Sequence, residues 1–103
     1  MMMDDEVQAT TEPLPLSEVD RILDRELTGW RREDRGIRKR YRRATFPEAI
    51  QFVVRLGELA EAANHHPDID IRWRNVIVYL TTHEAGGVTA LDLDLARQID
   101  ALG

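Results

Sequence analysis

The sequence predicts an α+β fold, a four-stranded antiparallel sheet with three helices packed on one face (α-β-β-α-β-β-α order). The chain has 103 residues, which suits one domain. Apolar residues recur at helical spacing in three segments, and four other segments alternate or form short β-rich runs. One sheet covered by helices buries all of these apolar faces with the fewest layers.

Composition narrows the class of protein. The net charge is -5, 43% of the residues are hydrophobic, and there is no cysteine. The lack of cysteine excludes disulfides and thiolate metal sites and favours a cytoplasmic location. Met1–Met3 lead directly into acidic residues, so we expect no signal peptide, and no later run is long enough to span a membrane.

The first segments are a tail and a helix. Residues 1–15 are polar, acidic and interrupted by proline, which predicts a disordered tail before a domain of residues 16–103. Ser17 is predicted to cap a helix that runs to about Leu27, because its hydroxyl can accept from free amides. The apolar face of that helix carries Val19, Ile22, Leu23 and Leu27.

A hairpin follows. Trp30 is predicted to open a short strand, residues 33–36 have turn chemistry, and residues 37–43 form the returning strand. Ile37 and Tyr41 share the side of this strand that faces the core. The other side carries Arg38, Arg40 and Arg42.

The second helix has the clearest signals. Thr45, Phe46 and Pro47 start it, and Asn64 ends it because asparagine tolerates the left-handed conformation of a helix terminus. The predicted buried stripe is Ala49, Phe52, Val53, Leu56, Ala60 and Ala63, widened by Ile50 and Val54.

The chain ends with a second hairpin and a third helix. Ile69, Ile71 and Trp73 alternate with polar residues and predict a strand with one buried face. After a turn at residues 74–75, residues 76–81 are apolar on both faces. Thr89 and Asp92 resemble a capping box. The stripe of the last helix is Leu91, Leu95, Ile99 and Leu102.

All three histidines lie between Glu61 and Asp92. His65 and His66 are adjacent at the end of the second helix, and the second hairpin can return His83 to the same rim. Imidazole can donate or accept a proton near neutral pH, so several imidazoles around one pocket suit acid–base catalysis. The alternative interpretation is that an exposed loop simply carries polar residues.

Other site chemistries fit less well. Adjacent histidines usually point apart and there is no HExxH pair, which disfavours zinc, and no GxSxG motif indicates a nucleophile. Glu61, four residues before His65, either orients that imidazole or assists chemistry, and Asp92 either caps the last helix or assists. Trp30 and Trp73 are more typical of core or interface aromatics than of ligand-stacking groups.

Residues 31–43 hold 8 of the 14 basic residues. Interleaved Trp30 and Tyr41 make a nucleic-acid surface conceivable. A solvated strand face, or recognition of a carboxylate or phosphate on a partner, better suits a net-acidic chain. Such a partner would bind through Arg38, Arg40 and Arg42.

The histidine region resembles a known signature. The pattern Glu61-x3-His65-His66-Pro67-x5-Trp73-x9-His83-x8-Asp92 is similar to that of the pterin-4a-carbinolamine dehydratases, as are Leu16-Ser17, Gly29-Trp30 and Thr81-Thr82-His83-Glu84. The resemblance extends from about residue 14 to the C-terminus. It implies the same order of helices and strands, and a homodimer or homotetramer.

The resemblance also implies an activity. Members of this family remove water from 4a-hydroxytetrahydropterin to give the quinonoid dihydropterin, without a metal or a redox cofactor. By the same resemblance, His65, His66 and His83 would be the catalytic set, with His65 and His83 as acid and base groups and His66 mainly holding the pterin. Supporting or substrate-binding positions would be Glu61, Thr82, Asp92 and Trp30.

A different class of function stays open. Relatives of this family also act as protein-binding or assembly modules, so the alternative is a non-catalytic adaptor on the same scaffold. The basic strand is more arginine-rich than the resemblance leads us to expect, which favours a partner at Arg38, Arg40 and Arg42.

Overall fold

The computed structural model describes residues 12–103. It contains, in chain order, α1 (Leu16–Glu26), β1 (Arg31–Glu33), β2 (Gly36–Arg42), α2 (Phe46–Ala63), β3 (Asp68–Arg72), β4 (Asn75–Leu80) and α3 (Ala90–Asp100). The predicted order of three helices and four strands is therefore confirmed. Within residues 12–103, no helix is both long and apolar enough to cross a membrane.

The four strands form one antiparallel sheet in the order β1-β2-β4-β3. In the register of β2 and β4, Ile37 lies opposite Leu80 and Tyr41 lies opposite Val76, and all four side chains are buried. They belong to one hydrophobic core with the buried residues of all three helices. Residues between them, such as Arg38 and its neighbour Tyr79 on β4, lie on the other face, called here the open sheet face.

The ends of α2 agree with the sequence prediction. Thr45 is the N-cap, and its side-chain oxygen accepts from the amide of Glu48 at 3.2 Å. Asn64 is the C-cap with a left-handed φ of 50°. Thr89 and Asp92 form the predicted capping box of α3. These signals are local, because a capping side chain satisfies amides within its own turn.

The predicted cap of α1 is wrong. The helix begins at Leu16 after Pro15, and no side chain caps it. Ser17 lies inside the first turn, where its hydroxyl is not at the N-cap position. Residues 12–15 are also tied to the domain, since the amide of Leu14 donates to Val88 O at 2.8 Å. The rest of the predicted tail, residues 1–11, lies outside the described residues.

The predicted buried face of β3 is wrong beyond Ile69. Ile71 is 36% exposed and Trp73 is 66% exposed. β3 is an edge strand, so fewer neighbours cover its inward side than cover β4. Trp73 has left the strand: with a φ of 57° it forms the turn, and the guanidinium of Arg74 stacks over its ring at 4.3 Å.

The centres of the predicted helix stripes are buried, including Phe52 and Leu56 of α2, and only flanking positions differ from the prediction. On α2, Ile50 and Val54 remain exposed. On α3, Leu91 is exposed whereas Leu93 and Ala96 are buried with the predicted Leu95 and Ile99. α3 packs against α2 as well as the sheet, so its buried face is wider than a single stripe.

A polar cluster fixes the C-terminal end of α3 to the sheet. Trp30 Nε1 donates to Asp100 Oδ1 at 3.2 Å, Lys39 Nζ donates to it at 2.9 Å, and the Tyr41 hydroxyl also donates to it. Burial, with the hydrogen bond and charge of Asp100, raises the pKa of Tyr41 above its usual range. We call these four residues the Asp100 cluster.

The Asp100 cluster predicts a specific loss of stability. Asp100→Ala removes one acceptor shared by three donors, so we expect the free energy of unfolding to fall by about 2 kcal/mol or more. Urea unfolding followed by circular dichroism measures it. The matched control is Asp94→Ala on the same helix, where an exposed pair with Arg97 is lost and less than about 1 kcal/mol is expected. Equal losses of unfolding free energy in both variants would contradict the proposed contribution of the Asp100 cluster to stability.

Candidate active site

The end of α2 places His65. The amide of His65 donates to Ala60 O at 3.1 Å, and the left-handed Asn64 turns the chain away from the helix axis. The imidazole then lies against the start of α3, where its Nε2 is 2.6 Å from Asp92 Oδ1. Only 11% of this side chain is exposed. The end of α2 therefore positions the His65 imidazole, and one of its two ring nitrogens is hydrogen-bonded to a carboxylate.

Asp92 is the centre of the site. It is fully buried in the first turn of α3. Its second oxygen, Oδ2, accepts from the Thr82 hydroxyl at 2.8 Å and from the Thr89 amide at 2.9 Å. A buried charge is tolerated only where its acceptors are paired, and the helix N-terminus further favours an anion here. The same carboxylate thus both caps α3 and orients His65.

Donor counting fixes the direction of these hydrogen bonds. The Thr82 hydroxyl has one hydrogen, which it donates to Asp92, so the Thr89 hydroxyl at 2.8 Å must donate to Thr82. Thr89 Oγ1 in turn accepts from the amide of Leu91. With Oδ2 filled by two donors, Oδ1 accepts from His65 as an Nε2–H tautomer. Nδ1 of His65 is then the ring nitrogen left to accept a proton.

His83 follows Thr82 directly and is exposed. It belongs to a tight turn in which Thr82 O accepts from the amides of Ala85 and Gly86, and Thr82 N donates to Gly87 O. The side chain of His83 lines an open depression of about 440 Å³. His65 is not among its lining residues. The two histidines are nevertheless connected: His65 is hydrogen-bonded to Asp92, Asp92 accepts from the Thr82 hydroxyl, and Thr82 directly precedes His83.

His66 and Glu61 form a separate, solvent-exposed pair. Glu61 Oε1 is 2.9 Å from His66 Nε2, and the two side chains are 81% and 58% exposed. Of the two roles considered for Glu61, orienting His65 does not match the structure, because Glu61 contacts His66 instead. The left-handed Asn64 ends the helix before His65, so the i,i+4 relation of Glu61 to His65 is lost. His66 lies beside Glu61 instead. An exposed pair of this kind holds geometry weakly.

The structure places the two tryptophans away from this network. Trp30 is 4% exposed and sits in the Asp100 cluster with its ring edge-on to Tyr41. Its buried side chain leaves little surface for a substrate, and its predicted binding role stays a prediction. Trp73 lies in the exposed turn between β3 and β4.

Sequence reasoning did not place Thr89 in the site. The T-x-x-D capping pattern was visible, but the pairing of the Thr82 and Thr89 hydroxyls depends on how the β4–α3 connection folds back. Within residues 12–103, no group of three or more His, Asp or Glu side chains is arranged to hold a metal ion.

Comparisons with known proteins agree on one family. The family model for pterin 4 alpha carbinolamine dehydratase matches residues 12–102. A Roseiflexus sp. (strain RS-1) protein, named as a candidate pterin-4-alpha-carbinolamine dehydratase, is 60% identical over 77 residues, or 75% of this chain and 83% of the relative. A Nocardia farcinica protein with the same name is 50% identical over 93 residues, or 90% of this chain and 97% of the relative.

A solved structure gives the same answer for the fold. The Brucella melitensis protein described as a transcriptional coactivator/pterin dehydratase superimposes with a TM-score of 0.83 at 33% sequence identity. The match covers 88% of this chain and 98% of that one. With the family model matching nearly all of the described residues, this chain belongs to the pterin-4-alpha-carbinolamine dehydratase family.

Proposed function

We propose that this protein is a hydro-lyase that removes water from 4a-hydroxytetrahydropterin to give the quinonoid dihydropterin. The observation that carries the proposal is His65, held by the buried Asp92 so that Nδ1 is its free acceptor. Family membership supports the reaction and its substrate. His83 supplies a second imidazole one residue from Thr82.

The reaction needs only proton transfers. The C4a–O bond breaks and the hydroxyl leaves with one added proton as water, while the ring nitrogen loses its proton and its electron pair forms the new C=N bond. In the proposal, His65 Nδ1 takes the proton from nitrogen, and His83 protonates the leaving hydroxyl. The overall loss of water changes no oxidation state, so an acid and a base suffice for the reaction.

Asp92 supports the base in two ways. Its carboxylate accepts from His65 Nε2 and stabilises the imidazolium that forms when Nδ1 gains a proton. Thr82 and Thr89 hold that carboxylate from the other side. The exposed His66 and Glu61 are proposed to hold the pterin.

The oligomer and location are part of the proposal. The resemblance of the histidine region supports a homodimer or homotetramer, and the cysteine-free sequence supports a cytoplasmic protein.

Removing either proposed acid–base group should abolish most of the activity. For His65→Ala and for His83→Ala we expect kcat for carbinolamine dehydration to fall by roughly 10²-fold or more. His66→Ala should raise KM more than it lowers kcat. A stopped-flow absorbance assay measures both, and Gln98→Ala on the exposed side of α3 is the control. Full activity in both the His65 and His83 variants would refute the mechanism.

Asp92→Asn tests the tautomer. The backbone amide of Thr89 still needs an acceptor, so the amide oxygen should take the Oδ2 position and the NH₂ should face His65. His65 must then accept at Nε2 and carry its proton on Nδ1, which removes the base. We expect kcat to fall by about 10²-fold.

The readout for this variant is independent of activity. Nitrogen-15 shifts of His65 should report Nε2–H in the wild type and Nδ1–H in Asp92→Asn. Urea unfolding should show that the domain stays folded, since an amide oxygen can still cap α3. An unchanged tautomer together with unchanged kcat would contradict the assigned role of Asp92.

A second role in protein binding is also proposed. The observation that favours it is the row of exposed arginines Arg38, Arg40 and Arg42 on the open sheet face. The Brucella melitensis neighbour is described as a coactivator as well as a dehydratase.

Reversing the charge of the three arginines tests this protein-binding role. We expect Arg38→Glu/Arg40→Glu/Arg42→Glu to lose partners that wild-type protein retains in a pull-down, because opposite charges across an interface become like charges. A triple variant of exposed helix arginines, Arg21→Glu/Arg25→Glu/Arg55→Glu, is the matched control. Identical partner sets for wild type and both triple variants would exclude a role for the open sheet face.

A further inference from the structure

β1 is too short to cover the whole length of β2. The two strands pair only from Arg31 opposite Arg38 to Glu33 opposite Gly36. Residues 39–42 of β2 therefore have β4 on one side and, among the strands of residues 12–103, none on the other. A depression of about 590 Å³ opens at this step in the sheet, between the start of β1 and the open sheet face. We call it the arginine notch.

In the part of the chain that the structure describes, every charged residue that lines the arginine notch is a cation. They are Arg31, Arg38, Lys39, Arg40 and Arg72, contributed by β1, β2 and β3. Half-buried Ile77 of β4 gives the notch an apolar surface. Its volume lies within the range of small-molecule sites. The notch is therefore a concave, positively charged site of limited size.

Neighbouring carboxylates account for only two of these five cations. Lys39 is paired with Asp100 at 2.9 Å, and Arg38 is 3.8 Å from the exposed Glu33. Within residues 12–103, the side chains of Arg31, Arg40 and Arg72 make no ion pair or hydrogen bond. By contrast, Arg32 on the helix side of β1 binds Asp20 of α1 through two hydrogen bonds.

The strand register makes this arrangement costly for the folded chain alone. Arg31 lies directly opposite Arg38, and like charges at opposed positions of a sheet destabilise it. An anion bound between them would replace that repulsion with two attractive contacts. Guanidinium groups bind phosphate through paired N–H donors, which makes them suited to such a ligand.

We propose that the arginine notch binds a small ligand that carries two or more phosphate charges. Acidic residues limit the extent of the site: Asp68 and Asp70 of β3 lie opposite Tyr79 and Ile77, on the open sheet face. They would repel a long polyanion laid across the sheet, as would the net charge of -5. A compact phosphate ester need not extend over these two carboxylates. This site is independent of the proposed dehydratase chemistry.

Calorimetric titration with inorganic tripolyphosphate at low ionic strength tests the proposal. Wild-type protein should bind one tripolyphosphate per chain. Arg40→Gln/Arg72→Gln should weaken the affinity by at least about tenfold, because charge-assisted hydrogen bonds are lost. Arg25→Gln/Arg55→Gln, exposed residues of α1 and α2, changes the net charge equally and should bind within about twofold of wild type.

Three outcomes would overturn it. The first is no binding to the wild type, and the second is equal weakening in both double variants, which indicates general electrostatic attraction. The third is tighter binding of oligothymidylate or polyglutamate than of tripolyphosphate, with the same dependence on Arg40 and Arg72, which indicates a macromolecular partner. Dehydratase activity is measured in parallel and should survive Arg40→Gln/Arg72→Gln, so failure here is separable from failure of the proposed activity.

Discussion

A single buried carboxylate, Asp92, joins the parts of this structure that matter for chemistry. It is fully buried, and its oxygens bind the imidazole after α2, the hydroxyl after β4 and the amide of Thr89, the N-cap of α3. A carboxylate in that position is stable only if all of these donors arrive together. The three connections therefore constrain one another, and the orientation of His65 follows from the requirement to satisfy Asp92.

The two faces of the sheet have separate electrostatic characters. The helix face buries the apolar core and meets acidic helices, and its few cations, such as Lys39 and Arg32, are paired with Asp100 and Asp20. The open sheet face and the step beside β1 concentrate arginines, of which Arg31, Arg40 and Arg72 have no such partner within residues 12–103 and Arg38 lies 3.8 Å from the exposed Glu33. A net-acidic protein can thus present a confined basic site, which the overall charge alone would not suggest.

Predictions from the sequence succeeded where the decisive interaction is local. The ends of α2 at Thr45 and Asn64, and the capping box of Thr89 with Asp92, involve groups within one helical turn. Predictions failed where burial or the hydrogen-bond partner depends on how the surrounding chain packs. The inward face of β3 is only partly covered because β3 is at the sheet edge. Glu61 contacts His66 because the left-handed Asn64 ends the helical spacing.

The sequence by itself determined the order of helices and strands and the likeness of the histidine region to a dehydratase signature. Periodicity and capping are properties of neighbouring residues, so they can be read along the chain. Only the tertiary structure decided that Asp92 holds His65, that Thr82 and Thr89 complete its hydrogen bonds, and that Trp30 belongs to the Asp100 cluster. The contacts of His65 with Asp92 and of Trp30 with Asp100 join residues 27 and 70 positions apart, and the pairing of Thr82 with Thr89 depends on how the β4–α3 connection folds back, so packing decides them.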